Sequence, residues 1–262
     1  MSCARVSKAV GLPFLLLLWL FFPLTFAQAL DAFEYQVYDA EINKPGNSSL
    51  ETHINTAGAV VPPSDGSEII PSNHLTHLTF EYARGLTSYC ELGAYLQTAL
   101  SPDGNYRYAG AKLRSKFALP REENRSLQLG LNFEISNVPP AFEKDRWGSE
   151  LRPIVGYTFD RVTVTFNPII GVSLTSGASA TPDFSPAAKV LFDTRSGYGL
   201  GIEYYSGLGE INKLQSFPVA EQYIFAALDL LNGPFELNVA AGPGLNSGSN
   251  QWIAKIIFGF LL

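Results

Sequence analysis

Residues 150–174 alternate between apolar and polar side chains along most of their length. From Leu151 to Phe159, and again from Val162 to Leu174, every second residue is apolar, and mostly polar or glycine residues lie between them. Because successive side chains of a β-strand point to opposite faces, this pattern predicts two strands joined by a turn at Asp160-Arg161. Each strand has about ten residues or more, the length with which a tilted strand crosses a hydrocarbon layer. The apolar face therefore meets either lipid or a protein core.

The same alternation recurs from Ser49 to the end of the chain. Short stretches rich in glycine, proline, asparagine and aspartate separate the alternating segments, as turns separate strands. The segments predict about twelve strands in an all-β, antiparallel, up-and-down arrangement. They cover residues 49–56, 77–82, 90–100, 110–119, 127–135, 150–159, 162–174, 184–193, 198–204, 223–230, 235–242 and 252–262.

The apolar face of these predicted strands carries essentially no charge, and the charged residues lie on the polar face. A water-soluble antiparallel sandwich would show the same alternation. The alternation alone therefore leaves both environments open. The acids that we expect on the polar face, and hence in the lumen if the sheet closes into a barrel, include Glu91, Glu134, Glu150, Glu203 and Asp229.

Three further features favour a closed barrel in a membrane. Glycines recur on the polar face, where they would weaken an exposed sheet but leave room for long charged neighbours inside a barrel. Connections alternate between long and short, as in outer-membrane barrels, although those near 101–104 and 119–125 depart from the rule. The last strand runs to Leu262, as expected of a strand that closes the barrel so that no edge faces lipid. We therefore predict a transmembrane β-barrel over residues 49–262, in contact with outer-membrane lipid.

The first 29 residues have the pattern of a cleaved secretory signal peptide: a basic start, an apolar run over residues 9–22, and small residues near Ala27 and Ala29. An uncleaved anchor helix is the alternative, disfavoured because the run is short and Pro23 interrupts it. Residues 30–48 have a mixed pattern that ends in a turn at 44–47. We predict that they form an N-terminal leader, either periplasmic or inside the lumen.

Composition and charge argue against several classes of protein. Beyond residue 29 the chain has no run of about twenty apolar residues, which disfavours an α-helical membrane protein. Two of the 18 basic residues and none of the 24 acids lie in the signal peptide, so the net charge of −6 becomes −8 in the mature chain, which disfavours a nucleic-acid partner. Only Cys90 remains after cleavage, so no intrachain disulfide can form.

Two segments, EYQVYDAEINKPG (residues 34–46) and KLRSKF (residues 112–117), resemble those of a family of bacterial outer-membrane proteins without an assigned activity. With the signal peptide and the aromatic-rich closing strand, they make most of the mature chain similar to a bacterial outer-membrane β-barrel. The resemblance implies a fold, an outer-membrane location and recognition of the C-terminal strand by the barrel assembly machinery. Such barrels commonly end in Phe or Trp, whereas this chain ends in Leu262 with Phe260 two residues before it.

Lys112, Arg114 and Lys116 stack on one face of a predicted strand at a spacing of two residues. One interpretation is a charge ladder that binds an anion in a pore. The interpretation that we favour is pairing with acids on neighbouring strands, such as Glu91 and Glu134, because three unpaired like charges would repel one another. The two are compatible, since a paired ladder still sets the field in a channel.

The chain has three histidines, and none lies in a recognisable catalytic motif. His74 and His77 are three residues apart, so on a strand they point to opposite faces and cannot share a metal. His53 lies two positions from Glu51 on the polar face, and it is the general base that a lipid-modifying barrel enzyme would have to use. A hydrogen-bonding role in the lumen is the interpretation that we favour. We predict no catalytic residue, metal or cofactor.

These observations favour a channel for small solutes. An outer-membrane lipid-modifying enzyme that uses His53, and a structural or surface-interaction barrel that uses its long loops, remain as alternatives. The sequence specifies neither the solute nor the oligomeric state.

Overall fold

The computed structural model describes residues 30–58, 69–70, 73–120 and 126–262, so the predicted signal peptide lies outside the described residues. No helix in this part of the chain is long and apolar enough to cross a membrane. All strands of the described residues belong to one antiparallel sheet. In chain order they are β1 (Ser48–Gly58), β2 (Thr76–Thr87), β3 (Cys90–Leu100), β4 (Tyr106–Ala118), β5 (Leu127–Asn137), β6 (Trp147–Phe159), β7 (Val162–Asn167), β8 (Ile170–Ser173), β9 (Asp183–Phe184), β10 (Ala187–Asp193), β11 (Tyr198–Gly207), β12 (Glu221–Leu230), β13 (Glu236–Pro243) and β14 (Trp252–Leu261).

The sheet closes on itself because β1 pairs with β2 on one side and with β14 on the other. Both β7 and β8 pair with β6, while β10 pairs with β7 and β9 with β8. These four short strands therefore make two long strands, each interrupted once. The result is a closed antiparallel barrel of twelve strands. The predicted all-β, up-and-down barrel is confirmed, and the soluble sandwich alternative is wrong because a single closed sheet contains all the strands.

The two interruptions fall at residues 168–169 and 185–186, inside stretches that the alternation predicted as continuous strands. Each contains a proline, Pro168 or Pro186, which has no N–H to donate to a ladder. The ladder is bridged at this point by one backbone bond, from Ser185 N to Ile169 O at 2.9 Å. The barrel thus keeps its closure where the two strands break.

Burial alternates along the barrel strands as the sequence predicts. On β3, Glu91 and Tyr95 are 3% exposed, whereas Leu92 and Leu96 are 44% and 48% exposed. An apolar outer surface that extends around a barrel is unfavourable in water but suits contact with lipid. Outward-facing residues of this belt include Leu113, Leu131, Val155, Phe166, Ile202, Leu228 and Ile256.

The two ends of the barrel differ in their connections. The short-turn end carries the start of β1, the end of β14 and the connections 88–89, 119–126, 160–161, 194–197 and 231–235. The long-loop end carries the connections 59–75, 101–105, 138–146, 174–182, 208–220 and 244–251. The connections 101–105 and 119–126 are the exceptions to the alternation, at the positions where the sequence indicated them.

Residues 30–47, here called the lumenal segment, pass through the inside of the barrel and contain no strand or helix. Near the short-turn end, Gly46 N donates to Gly85 O at 2.9 Å. Near the long-loop end, the Phe33 ring packs against Phe142, with ring centroids 5.8 Å apart. Between them, Tyr35 packs edge-on against Tyr205 of the opposite side of the barrel. The packed interior is therefore built around this segment.

Candidate functional site: the charged lumen

Three basic side chains point into the lumen from β4 and are almost fully buried: Lys112, Arg114 and Lys116. They are here called the charge ladder. Lys112 Nζ lies 3.2 Å from Glu134 Oε2 on β5, and Arg114 Nη2 lies 2.7 Å from Glu91 Oε1 on β3. Arg114 Nη2 also lies 2.6 Å from Glu81 Oε1 on β2, one strand further away. The structure thus brings the ladder together with the two acids that the sequence singled out and with one that it did not.

Further acids reach the ladder from the lumenal segment. Lys112 pairs with Asp31, and its Nζ lies 3.1 Å from Glu34 Oε2. Lys116 Nζ lies 3.7 Å from Asp39 Oδ1. The mixed pattern of residues 30–48 gave no signal for these pairings, because they depend on where an irregular segment lies. The ladder is therefore an ionic contact between the barrel and its own N-terminal segment.

Glu34 is the acid of the segment that lies deepest among basic groups. Its carboxyl group is buried and forms an ion pair with Lys112. The carboxylate also accepts a hydrogen bond from the Tyr38 hydroxyl. Glu34 therefore joins the segment to β4 through Lys112 and braces Tyr38 within the segment.

Tyr38 anchors the middle of the segment. Its backbone N donates to Asn167 Oδ1 at 2.7 Å, and Asn167 Nδ2 donates back to its carbonyl at 3.0 Å. Its hydroxyl lies 2.7 Å from that of Tyr95 and 3.3 Å from Glu134 Oε1. The Arg152 guanidinium stacks over its ring at 4.2 Å from the centroid, a favourable cation–π contact. One side chain thus joins the segment to strands on several sides of the barrel.

A second ionic cluster lies on the other side of the lumen. Glu203 Oε2 lies 2.7 Å from Lys255 Nζ, and Glu203 Oε1 lies 3.2 Å from Lys189 Nζ. Lys189 also pairs with Asp229 at 2.7 Å, and Lys255 donates to the carbonyl of Tyr35 in the segment at 2.7 Å. Both predicted acids, Glu203 and Asp229, therefore face inward and are paired.

The remaining predicted acid, Glu150, also faces the lumen. Its Oε1 accepts a hydrogen bond from Arg152 Nε at 2.8 Å. Arg152 Nη1 donates in turn to the carbonyl of Gln36 at 3.1 Å. Side chains of the barrel thus satisfy the backbone of the segment, which has no ladder of its own to do so. Further bonds of this kind run from Asn55 Nδ2 to Phe33 O and from Asn43 N to Glu91 Oε2, each at 2.7 Å.

The three histidines lie in different surroundings. His53 is fully buried on the inner face of β1, with Nε2 3.4 Å from Glu81 Oε2 and 3.8 Å from Glu51 Oε2. His77 is buried on β2 against the ring of Phe33. His74 is exposed in the connection between β1 and β2. Within the described residues neither ring nitrogen of His53 has a hydrogen-bond partner, so the structure shows no nucleophile paired with it.

Comparison with known proteins settles the fold. No protein-family model and no curated protein matches the chain. Among solved structures, an outer-membrane channel from Pseudomonas putida F1 is similar at 12% identity and a TM-score of 0.54, over 87% of this chain and 100% of that one. The fold is that of bacterial outer-membrane β-barrels. The porin KdgM in complex with disordered oligogalacturonate is also similar, at 8% identity and a TM-score of 0.50, over 81% of this chain and 98% of that one. At such low identities the likeness is one of fold alone.

Proposed function

We propose that the protein is a channel for small solutes in the bacterial outer membrane, and that the lumenal segment closes it. The observation that carries this proposal is that the segment fills the lumen without forming part of the barrel. The ring of strands is complete without residues 30–47, since β1 begins at Ser48 and pairs with β14 directly. When the segment leaves, a path would connect the two ends, lined by the charged side chains and by barrel residues that pack against Tyr35, such as Tyr205 and Phe225.

The size and lining of the lumen support this proposal. Barrels of eight strands are just wide enough for side chains to fill, whereas those of sixteen or more leave an aqueous channel. Twelve strands lie between these cases, and here a stretch of chain supplies the additional filling. The inner surface left behind would carry the basic ladder and the acids Glu91, Glu134 and Glu203, which suits passage of water-soluble molecules.

The way in which the segment is held supports a reversible closure. Over most of its length its backbone is bonded to side chains, such as those of Asn55, Arg152 and Lys255. Among the described residues, backbone bonds to a barrel strand occur at its last two residues, Gly46 and Asn47, which pair with Gly85 of β2. Side-chain contacts can be exchanged for water one at a time, whereas removal of a barrel strand would open the sheet to lipid. The names of the two similar structures, a channel and a porin, agree with this proposal.

The cellular location belongs to the same proposal. The apolar belt would contact outer-membrane lipid, and residues 1–29 would direct export as a cleaved signal peptide. The last strand, β14, would be the element that the barrel assembly machinery recognises. The short-turn end would face the periplasm, so the junction between the lumenal segment and β1 would lie on that side.

Conductance in planar bilayers tests the channel. We expect the mature wild-type protein to conduct weakly, and a variant that lacks residues 30–41 to conduct several-fold more. The deletion retains the turn that leads into β1, so the barrel can still close. Circular dichroism and heat-modifiable gel mobility would verify that the deletion variant is folded.

A disulfide lock provides the matched control. A Cβ placed on Gly130 of β5 would lie 3.4 Å from the Cβ of Ala40 in the segment, close to the separation found in disulfides. We expect Ala40→Cys/Gly130→Cys, in a Cys90→Ser background, to be closed when oxidised and to recover the wild-type conductance when reduced. A strong conductance that neither the deletion nor the lock changes would contradict closure by the segment. Absence of conductance in every folded variant would contradict the channel and favour the surface-interaction alternative.

A further inference from the structure

Glu51, His53 and Glu81 form a compact group on the lumenal face of β1 and β2. Glu51 and Glu81 are direct cross-strand partners, and His53 follows Glu51 by two residues on the same face. One ligand atom from each of the three side chains lies within 4.8 Å of the others. The sequence placed Glu51 beside His53, but only the register of β2 brings Glu81 to the same place.

The distances within this group suit a shared metal ion. Zinc binds nitrogen and carboxylate oxygen at about 2.0–2.2 Å in tetrahedral sites, which separates neighbouring ligand atoms by about 3.3–3.6 Å. The His53 Nε2 atom lies 3.4 Å from Glu81 Oε2 and 3.8 Å from Glu51 Oε2. The two distances from His53 Nε2 are therefore close to the separation of neighbouring ligands in a tetrahedral site, and the two carboxylate oxygens lie within 4.8 Å of each other.

His53 supplies an independent observation that points to a ligand. Its side chain is completely buried, yet neither Nδ1 nor Nε2 makes a hydrogen bond in the described part of the chain, although Nε2 faces the two carboxylates at 3.4 and 3.8 Å. A buried polar group that makes no hydrogen bond is costly, so one that persists calls for an additional group to bind it. A metal bound to Nε2 would supply that group on the side of the two carboxylates.

The charges around the group also favour a cation. Arg114 engages Glu81, but it does so through Oε1 and shares its guanidinium with Glu91, so that Glu81 Oε2 still faces His53. Glu51 is paired with no lysine or arginine among the described residues. Two carboxylates and a histidine thus meet in a buried place, and Arg114 beside them divides its charge between Glu81 and Glu91.

Glu51 also provides a route of access. Its side chain is 17% exposed, whereas those of His53 and Glu81 are almost fully buried. Across the strand pair, Gly259 of β14 leaves space for it, because a Cβ there would lie 2.7 Å from Glu51 Cγ. An ion could therefore reach the group from the side on which Glu51 meets solvent.

We propose that Glu51, His53 and Glu81 bind one divalent transition-metal ion of the Zn²⁺ class, with water as the fourth ligand. The imidazole nitrogen favours such an ion over Ca²⁺ or Mg²⁺, which prefer oxygen ligands alone. Arg114 orients Glu81 from behind, as groups around metal ligands commonly do. The site ties β1 to β2 close to the point where the lumenal segment joins the barrel, and it does not depend on whether the barrel conducts.

Metal titration of the untagged, chelator-treated mature protein tests this site. We expect one Zn²⁺ to bind per chain in isothermal titration, and Co²⁺ to give the visible absorption of a tetrahedral complex. Glu51→Gln and His53→Gln should each weaken Zn²⁺ binding at least about tenfold. His77→Gln is the matched control, because His77 is also a buried lumenal histidine but lies against Phe33, and it should bind Zn²⁺ as the wild type does.

Two measurements keep the test decisive if one variant folds poorly. Gly259→Ala leaves the three ligands in place but pushes against the Glu51 side chain, so it should weaken binding as well. Zn²⁺ should also raise the unfolding temperature of the wild type and of His77→Gln but not that of Glu51→Gln. Absence of stoichiometric binding by the folded wild type, or equal binding by wild type and folded Glu51→Gln, would overturn the proposal.

Discussion

At the scale of single residues, Tyr38 shows how an irregular segment is fixed inside a barrel. Its backbone is bonded to Asn167, its hydroxyl approaches Tyr95 and Glu134, and its ring lies under Arg152. A β-strand would be held in place by backbone hydrogen bonds to its neighbouring strands. Here a large aromatic side chain with a polar tip provides both the packing and the hydrogen bonds.

Tyr38→Ala should release the lumenal segment while leaving the barrel folded. Truncation of a buried aromatic residue costs about 3–5 kcal/mol. Because Tyr38 belongs to the segment and not to a barrel strand, this cost weakens binding of the segment inside the barrel. We expect slower cross-linking in the Ala40→Cys/Gly130→Cys background and a higher conductance. Tyr38→Phe, which loses only the hydroxyl, should have a smaller effect.

Tyr89→Ala is the control for this prediction, since Tyr89 is an exposed tyrosine in the turn between β2 and β3. It should leave both cross-linking and conductance unchanged. If Tyr38→Ala cross-links at the wild-type rate, Tyr38 does not anchor the segment.

Leu131→Arg should impair assembly far more than Gln128→Arg on the same strand. Leu131 faces outward, and an arginine near the middle of the bilayer costs about 2–4 kcal/mol. Gln128 faces the lumen and is partly exposed. The nearer lumenal position, Asn132, is a poor control because it is fully buried between Lys116 and Arg152. The yield of heat-modifiable barrel measures assembly, and equal yields would show that the outer face does not meet lipid.

At the scale of elements, β4 is the strand whose ion pairs join the barrel to the lumenal segment. Its three basic side chains share one face, and their acids come from β2, β3, β5 and the segment. Burial of this many charges is tolerable only because each has a partner. Removal of one side of a buried ion pair is strongly destabilising, at about 3–5 kcal/mol, since the other charge is left without compensation.

Replacement of Lys112, Arg114 and Lys116 by glutamine should expel the segment and make the open lumen prefer cations. The acids Glu81, Glu91 and Glu134 would lose their partners and would require water or counter-ions. The reversal potential across a salt gradient measures the preference. The control removes the same charge from exposed positions outside the segment, in Arg107→Gln/Lys144→Gln/Lys213→Gln, and should leave the reversal potential near that of the wild type. A folded ladder variant with wild-type conductance and selectivity would contradict this role of β4.

At the scale of the whole molecule, closure between β1 and β14 governs the architecture. Their ladder extends from Ser49 and Leu261 to Gly58 and Trp252, so no edge strand is left to face lipid. The apolar belt on the outside then faces lipid, and the ionic network on the inside faces the lumen and its segment. An apolar exterior around a polar interior is the arrangement that suits a barrel in a membrane.

The mature chain should therefore fractionate with the outer membrane and migrate faster on denaturing gels before boiling than after it. Closed barrels resist detergent until heated, because the ladder bonds around the ring must break together. Cell fractionation and paired gel lanes measure both properties. Recovery of the protein as a soluble periplasmic monomer would refute the membrane location.

Much of the barrel could be predicted from the sequence because its signal is local. A period of two residues, read strand by strand, predicted about twelve strands, their two faces, and the inward position of the ladder and of its expected acids. Glu91 and Glu134 could be proposed as partners because consecutive strands of an up-and-down barrel are neighbours in space. The breaks at Pro168 and Pro186 could also have been anticipated, since proline cannot donate to a ladder.

The tertiary structure alone decided what fills the barrel. Residues 30–47 have no periodicity, so nothing in their sequence showed that Asp31, Glu34 and Asp39 would meet the ladder, or that Tyr38 would lie under Arg152. The group of Glu51, His53 and Glu81 likewise required the register between β1 and β2, which long-range closure fixes and no local pattern encodes. The face to which a side chain points follows from the local alternation along its strand. Contacts across the lumen depend instead on how all the strands close into a ring and on which segment lies inside it.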